Sequence, residues 1–385
     1  MTAPAGAPRA TVIVGTGLAG YTLARELRRT GYAGQLALVT RDDGAFYSKP
    51  MLSNALAQKK TAESLVITPA EQMAAALHAS IHTDAEVTAI DLRAQQIQLA
   101  HTVLPYDALV LACGADPIRL SLQGSAADAV LSINDRLDYA RFRASLEGKK
   151  RVAIIGAGLI GCEFANDLRT AGHDVTVIDP APWPLGRLVP AAVGNAVTDA
   201  LAATGVTWRL GQSVTAVDRA PDGTLLLRFD NGEQRACDLV LSAVGLAPRT
   251  RLAAAAGLTI KRGIVTDNYL QASATGIYAL GDCAETGGQV RPFVLPITHG
   301  ARALAQTLCG TPTPVRYPAM PVVVKTPALP VVVCPPAPQT LGDWCVTTER
   351  RGVRALFHDQ HGRLAGFALA GTATGEKQAL AVQLS

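Results

Sequence analysis

Two glycine triplets carry the clearest chemistry in this 385-residue sequence: Gly15-Thr16-Gly17-Leu18-Ala19-Gly20 and Gly156-Ala157-Gly158-Leu159-Ile160-Gly161. Each follows an apolar run, Thr11-Val12-Ile13-Val14 in one case and Arg151-Val152-Ala153-Ile154-Ile155 in the other, and each precedes helix-forming sequence. In such a strand-turn-helix the first glycine permits the tight turn, the second lets backbone approach a pyrophosphate, and the third brings helix close to strand. The helix N-terminus then offers unpaired N–H groups and its positive dipole end to the phosphates. Either motif alone also reads as an ordinary strand-turn-helix. The pair, each in strand context, predicts that one chain holds two dinucleotides.

Carboxylates and lysines stand where such ligands would need them. The run 174–179 reads as a strand ending on Asp179, and the interval from Gly156 matches the roughly 20 residues between a glycine loop and its ribose-binding acid. Pro180-Ala181-Pro182 follows, with no arginine to receive a 2′-phosphate, so Asp179 favours NADH over NADPH. Its other reading is a strand-end turn residue. In the first unit the corresponding acid is displaced: Thr40 follows the strand 35–39 directly, and Asp42 and Asp43 come slightly later. The run 275–282 delivers Gly281-Asp282 at a strand's end, where open α/β sheets place ligands. Lys49 precedes Pro50, which biases it away from helical geometry and can present it into a site; a solvated loop lysine is the alternative. Lys325 interrupts an apolar strand pattern and reads equally as ligand-facing or outward-pointing.

The elements that must position these residues form an α/β fold with two Rossmann-like domains and a small C-terminal α+β domain. Helices are expected over 21–30 and 162–171, and strands over 35–39 and 174–179. The segment 106–115 is a strand closing on a glycine turn, and 237–245 repeats that pattern; each is followed by a proline. Everything between them contains the second glycine motif, so the second nucleotide domain is read as an insertion in the first. The expected division is 1–116, the first segment of one nucleotide domain; 117–243, the inserted domain; 244–314, the second segment; and 315–385, the C-terminal domain. A helix is expected over 300–308. Beyond it, prolines punctuate β-branched runs such as Val322-Val323-Val324 and Val331-Val332-Val333, which reads as antiparallel strands with a terminal helix near 375–384.

Composition narrows the function classes. Half the chain is apolar (49%), enough for a large core, yet no apolar stretch is long enough to span a bilayer, and the Ala/Pro-rich N-terminus lacks a signal-peptide pattern. These features predict a cytoplasmic protein without membrane insertion. A formal charge of +4 without a long basic run argues against nucleic acid as the main partner. Seven scattered cysteines contain no C-x-x-C pair, so neither a disulfide framework nor a zinc ribbon is indicated. His78 and His82 would share a helical face, and His358 and His361 lie close, but neither pair has a third ligand, and no metal site is expected.

In this arrangement the chain resembles the two-dinucleotide flavoprotein reductases over nearly its whole length. Within them, Tyr47-Ser48-Lys49-Pro50-Met51-Leu52-Ser53, the run Gly158-Leu159-Ile160-Gly161-Cys162-Glu163-Phe164-Ala165-Asn166-Asp167-Leu168, and Val324-Lys325-Thr326-Pro327 are most similar to the rubredoxin–NAD⁺ reductases. The resemblance implies FAD on Gly15, Gly17 and Gly20, with Asp282 on its ribityl chain and Lys49 beside the flavin. Asp42, Pro50, Gly245 and Gly281 belong to the same cofactor surroundings. Glu163 would be an ionic partner for Lys49, and Lys325 would approach the ring from the C-terminal domain. Pro296-Ile297, ahead of the 300–308 helix, would place N–H groups by the flavin's pyrimidine edge. NADH would occupy the second loop. The implied reaction passes hydride from NADH to flavin and single electrons onward to the iron of rubredoxin or a similar small carrier, feeding a chain such as alkane hydroxylation or oxygen reduction. A reductase of ferredoxin or flavorubredoxin, and a slowly turning redox sensor, are the other readings. A dithiol mechanism needs a cysteine pair beside the flavin, and Cys113 is the first cysteine in the chain. The oligomeric state is open, with a monomer compatible.

Overall fold

The two glycine motifs end equivalent strands in two compact units of the computed structural model, which describes residues 8–384. One unit comprises the chain up to residue 49 together with 63–116 and 246–317; the other comprises 50–62, 117–245 and the chain from 318 onward.

In the first unit a five-stranded parallel sheet runs in the order Ile277–Ala279, Ala108–Leu111, Ala10–Val14, Gln35–Val39, Ser80–His82. Its central strand is buried on both faces, which suits its β-branched residues Val12, Ile13 and Val14. The helix Leu18–Arg29 leaves that strand through the glycine loop and buries Tyr21, Leu23, Ala24 and Leu27 in a core shared with Ala301, Leu304 and Leu308. Those last residues lie on a helix spanning Val294–Leu308, which begins earlier than the expected 300. Pro296 concealed its start: in a first turn no intrahelical N–H is required, so proline is tolerated inside the helix. Pro296 and Ile297 are therefore buried first-turn residues and not a lead-in segment.

His78 and His82 do not share a helix. The helix Ala70–Leu77 stops at His78, whose φ of 45° is left-handed, and His82 lies in the strand Ser80–His82. Among the described residues no three metal-ligating side chains come together.

The second unit repeats the design. Its parallel sheet runs in the order Thr207–Leu210, Asp174–Asp179, Arg151–Ile155, Leu239–Ser242, with the helix Leu159–Thr170 following the second glycine loop. Asp107 and Asp238 mark the equivalence. Asp107 accepts the N–H groups of Arg9 and Ala10 where the first glycine-loop strand starts, and Asp238 accepts those of Lys150 and Arg151 where the second starts. An antiparallel sheet of Val214–Arg219, Leu225–Phe229 and Gln234–Cys237 buries Val217, Leu227 and Phe229 against the inserted fold. The C-terminal residues form an antiparallel sheet in the order Val322–Val324, Val331–Cys334, Leu364–Gly371, Gly352–Asp359, Gly342–Glu349, closed by the helix Lys377–Gln383. This sheet and the short segment 50–62 belong to the same unit as the inserted domain.

Candidate functional site

The two glycine loops are near copies in geometry. Gly15 and Gly156 have φ of +117° and +109°, and a Cβ on either would strike the carbonyl oxygen of Ala112 (2.3 Å) or Ala243 (2.7 Å). A Cβ on Gly20 would lie 1.9 Å from the oxygen of Gly15, and one on Gly161 1.9 Å from that of Gly156. These contacts are the close turn and the close helix–strand approach that a glycine alone permits. Gly17 and Gly158 behave differently, because a Cβ there meets nothing within 4 Å. Both are helix N-caps, and neither helix has a side chain capping its first amides. Each loop therefore presents open space and unpaired N–H donors at the positive end of a helix, the environment a pyrophosphate requires. Around them, Thr16 and Ala19 are buried, Leu18 and Leu159 open the helices, and Ile160 is exposed.

The acids divide by what already holds them. Asp179 accepts the N–H of Ala157 at 2.6 Å and that of Ala181 at 2.8 Å, so it braces the glycine loop as well as ending the strand. Its carboxylate oxygens have further lone pairs for ribose hydroxyls. Asp42 accepts from the Thr40 hydroxyl (2.7 Å) and the Gly44 N–H (3.0 Å), closing a loop turn on the first unit. Gly281, at φ +84°, packs so closely that a Cβ would lie 2.8 Å from that of Ala19, which sets Asp282 beside the first glycine-loop helix. Burial pushes the Asp282 carboxyl above the ordinary range, opposed by the positive charges of Lys49 and Arg249. Gly245 has φ of +118°, and its carbonyl accepts from Ile118 at 3.0 Å.

A buried polar cluster occupies one side of the helix Leu159–Thr170. Glu163, 3% exposed, receives the Lys325 ammonium at 2.5 Å and the Ser53 hydroxyl on Oε2, and the Lys325 backbone N–H at 2.9 Å on Oε1. The same ammonium donates to the Pro50 carbonyl (2.6 Å) and Ser53 Oγ (3.0 Å), which uses its three N–H bonds. Within this unit the lysine seated on the Glu163 carboxylate is Lys325. Lys325 follows the strand Val322–Val324 directly, at the point where the chain leaves the sheet, so its side chain turns into the cluster. Further along the helix Asn166 Oδ1 accepts from Ala328 (3.0 Å), and Asp167 accepts from Leu56 (2.9 Å) and Ala57 (3.0 Å).

Two loops for dinucleotides, separate in sequence and alike in structure, decide the class, and a family model agrees over residues 9–305: pyridine nucleotide-disulphide oxidoreductase. The chain belongs to that family. A second family model, the rubredoxin binding C-terminal domain, matches residues 314–384. The chain is similar to a rubredoxin–NAD⁺ reductase of Alcanivorax borkumensis, 46% identical over 97% of this chain and 98% of that one. It is also similar to one of Acinetobacter baylyi, 43% identical over 95% of each. Among solved structures, the covalent putidaredoxin reductase–putidaredoxin complex contains a chain that superposes with a TM-score of 0.89 at 28% identity, covering 99% of this chain and 94% of that one.

FAD and NADH are the cofactors of this oxidoreductase family, and the open glycine positions with uncapped helix starts fit two dinucleotides. Family membership does not bring a disulphide here: all seven cysteines are free thiols. Burial raises the Cys162 thiol far above its usual value and that of Cys283 to about 11, which keeps both protonated and unreactive. Sequence reading named Ser53, Asn166 and Asp167 within their motifs but gave them no role. The signal available was the spacing Glu163, Asn166, Asp167, three polar residues on one side of a helix that is otherwise buried.

Proposed function

We propose that this protein is an NADH-dependent, FAD-containing reductase of rubredoxin. The observation that carries the reading is the C-terminal sheet, which coincides with the match to a rubredoxin-binding domain and follows a body with two dinucleotide loops. When bound, FAD supplies the conversion between a two-electron hydride donor and a one-electron iron acceptor.

The chain's own residues do the rest. Gly15, Gly17 and Gly20 and the helix start at Leu18 bind the FAD pyrophosphate, and Asp282 holds the ribityl hydroxyls. Lys49 and the amide end of the helix Val294–Leu308 present positive charge toward the flavin; Pro296 lacks an N–H, so that charge comes from neighbouring amides and the helix dipole. Gly156, Gly158 and Gly161 bind the NADH pyrophosphate. Asp179 accepts the ribose hydroxyls and, as an anion, repels a 2′-phosphate. Glu163 orients the nicotinamide end while Lys325 neutralises its buried charge. The free thiols suit a reducing compartment, and we place the reaction in the cytoplasm. Among the described residues no helix is long and apolar enough to cross a membrane.

The test is reduction of purified carriers under NADH. Oxidised rubredoxin should be reduced at least about tenfold faster than a [2Fe–2S] ferredoxin at equal concentration, with NADPH a poor donor. Equal rates with both carriers would make this a general iron-protein reductase, and reduction of neither would remove the reading.

A further inference from the structure

The carboxylate of Asp167, 2% exposed, is held by main-chain N–H groups. Its two oxygens each take one backbone N–H, from Leu56 at 2.9 Å and Ala57 at 3.0 Å. Burial raises its pKa, and these two N–H bonds together with the positive charge of Lys325 oppose the rise. A helix interior gains nothing from such a residue unless the partners require it.

Those partners end the segment that begins at Pro50. Within it, the Pro50 carbonyl and the Ser53 hydroxyl bind the Lys325 ammonium, and Ser53 also donates to Glu163. The segment is therefore fixed on the helix at two places, Ser53 on Glu163 and residues 56–57 on Asp167, one helical turn apart. Losing the second anchor frees the first to drift, and with it the acceptors that set the Lys325 and Glu163 side chains.

We propose that Asp167 is a positioning residue for hydride transfer, acting through the segment 50–57 to fix the Glu163–Ser53–Lys325 cluster. The inference rests on the reductase reading above, and the two fail separately: if NADH does not reduce the wild-type flavin the reductase reading falls, whereas normal wild-type reduction leaves the Asp167 variants to judge this one.

The experiment uses the holoenzyme in anaerobic stopped flow with NADH. Asp167→Ala should lower the limiting rate of flavin reduction at least about tenfold while changing the NADH dissociation constant less than about threefold, the pattern of lost alignment and retained binding. The long-wavelength charge-transfer band of the reduced enzyme with NAD⁺ should weaken in parallel, and amide hydrogen exchange at Leu56 and Ala57 should accelerate. Asp167→Asn keeps one acceptor oxygen and should recover part of the rate. Ser53→Ala should give a smaller loss that is not multiplied in the Asp167→Ala background, because both act on one cluster. Wild-type rate and charge-transfer band in Asp167→Ala would overturn the proposal, as would independent, multiplying effects of the two substitutions. If Asp167→Ala does not fold, Asp167→Asn and its double variant with Ser53→Ala give the same decision.

Discussion

Lys325 grips Glu163 twice: its ammonium lies 2.5 Å from one carboxylate oxygen and its backbone N–H donates to the other at 2.9 Å. The main-chain bond places the lysine, and the side-chain bond neutralises a glutamate that is 3% exposed. Removing the lysine strands a buried charge, while removing both charges leaves a neutral pair of holes. Lys325→Ala should therefore cost about 2 kcal/mol of stability, less than a fully buried pair because the lysine is about a third exposed. Adding Glu163→Gln should restore much of that. Chemical denaturation of Lys325→Ala, Glu163→Gln and the double variant checks it, and a double-variant loss equal to the sum of the two single losses would show that the pair is not coupled.

Gly17 and Gly20 stand three residues apart and should fail in different ways. A Cβ at Gly20 collides with backbone at 1.9 Å, so Gly20→Ala should lower the stability of the apoprotein by about 3 kcal/mol. Gly17→Ala meets no protein atom within 4 Å and should leave the apoprotein's melting temperature nearly unchanged while weakening FAD retention. Gly161→Ala and Gly158→Ala should divide likewise for fold and NADH affinity. Thermal melts of apoprotein and the flavin content of purified protein separate the two effects.

Asp238 anchors the start of the second glycine-loop strand through the N–H groups of Lys150 and Arg151 and the Arg151 guanidinium. The Arg151 side-chain bond is the largest cause holding its carboxyl far below the usual range. A depressed folded-state pKa means stability that is present above the unfolded value of about 4 and lost as pH falls toward the folded one. Asp238→Asn should cost about 1–2 kcal/mol at pH 7, and the gap from wild type should narrow as pH drops below about 4. Urea titrations at several pH values give the comparison; a gap independent of pH would assign the loss to shape and not to charge.

Thiol reagents should find little to attack. Cys345 is exposed, whereas Cys162 and Cys283 are buried with raised pKa values. One thiol should react rapidly in the native protein with no loss of NADH-dependent turnover. Rapid inactivation would return a thiol-dependent mechanism to consideration.

How much could be read in advance depended on distance along the chain. The glycine loops were legible because one short motif encodes both the turn and the close packing, and the strands Gln35–Val39, Arg151–Ile155 and Asp174–Asp179 have the bounds their apolar runs imply. Helix starts were read late, at 21 and 162 against Leu18 and Leu159, because a glycine N-cap lacks the Ser or Asp signal that marks most helix starts. The Val294 start was hidden by Pro296 for a related reason. The cluster around Glu163 was illegible: Ser53 and Lys325 lie 110 and 162 residues from it, and nothing local to either reports which carboxylate it will meet.

Double-mixing stopped flow follows the electrons from donor to acceptor: the anaerobic enzyme is reduced with one equivalent of NADH, then mixed with oxidised rubredoxin, and flavin and iron absorbance are followed together. The flavin should bleach rapidly and then recover, matched by reduction of two rubredoxin irons per flavin. Flavin that bleaches but is not reoxidised by rubredoxin would contradict the partner, and flavin that does not bleach would contradict the NADH-dependent reaction itself.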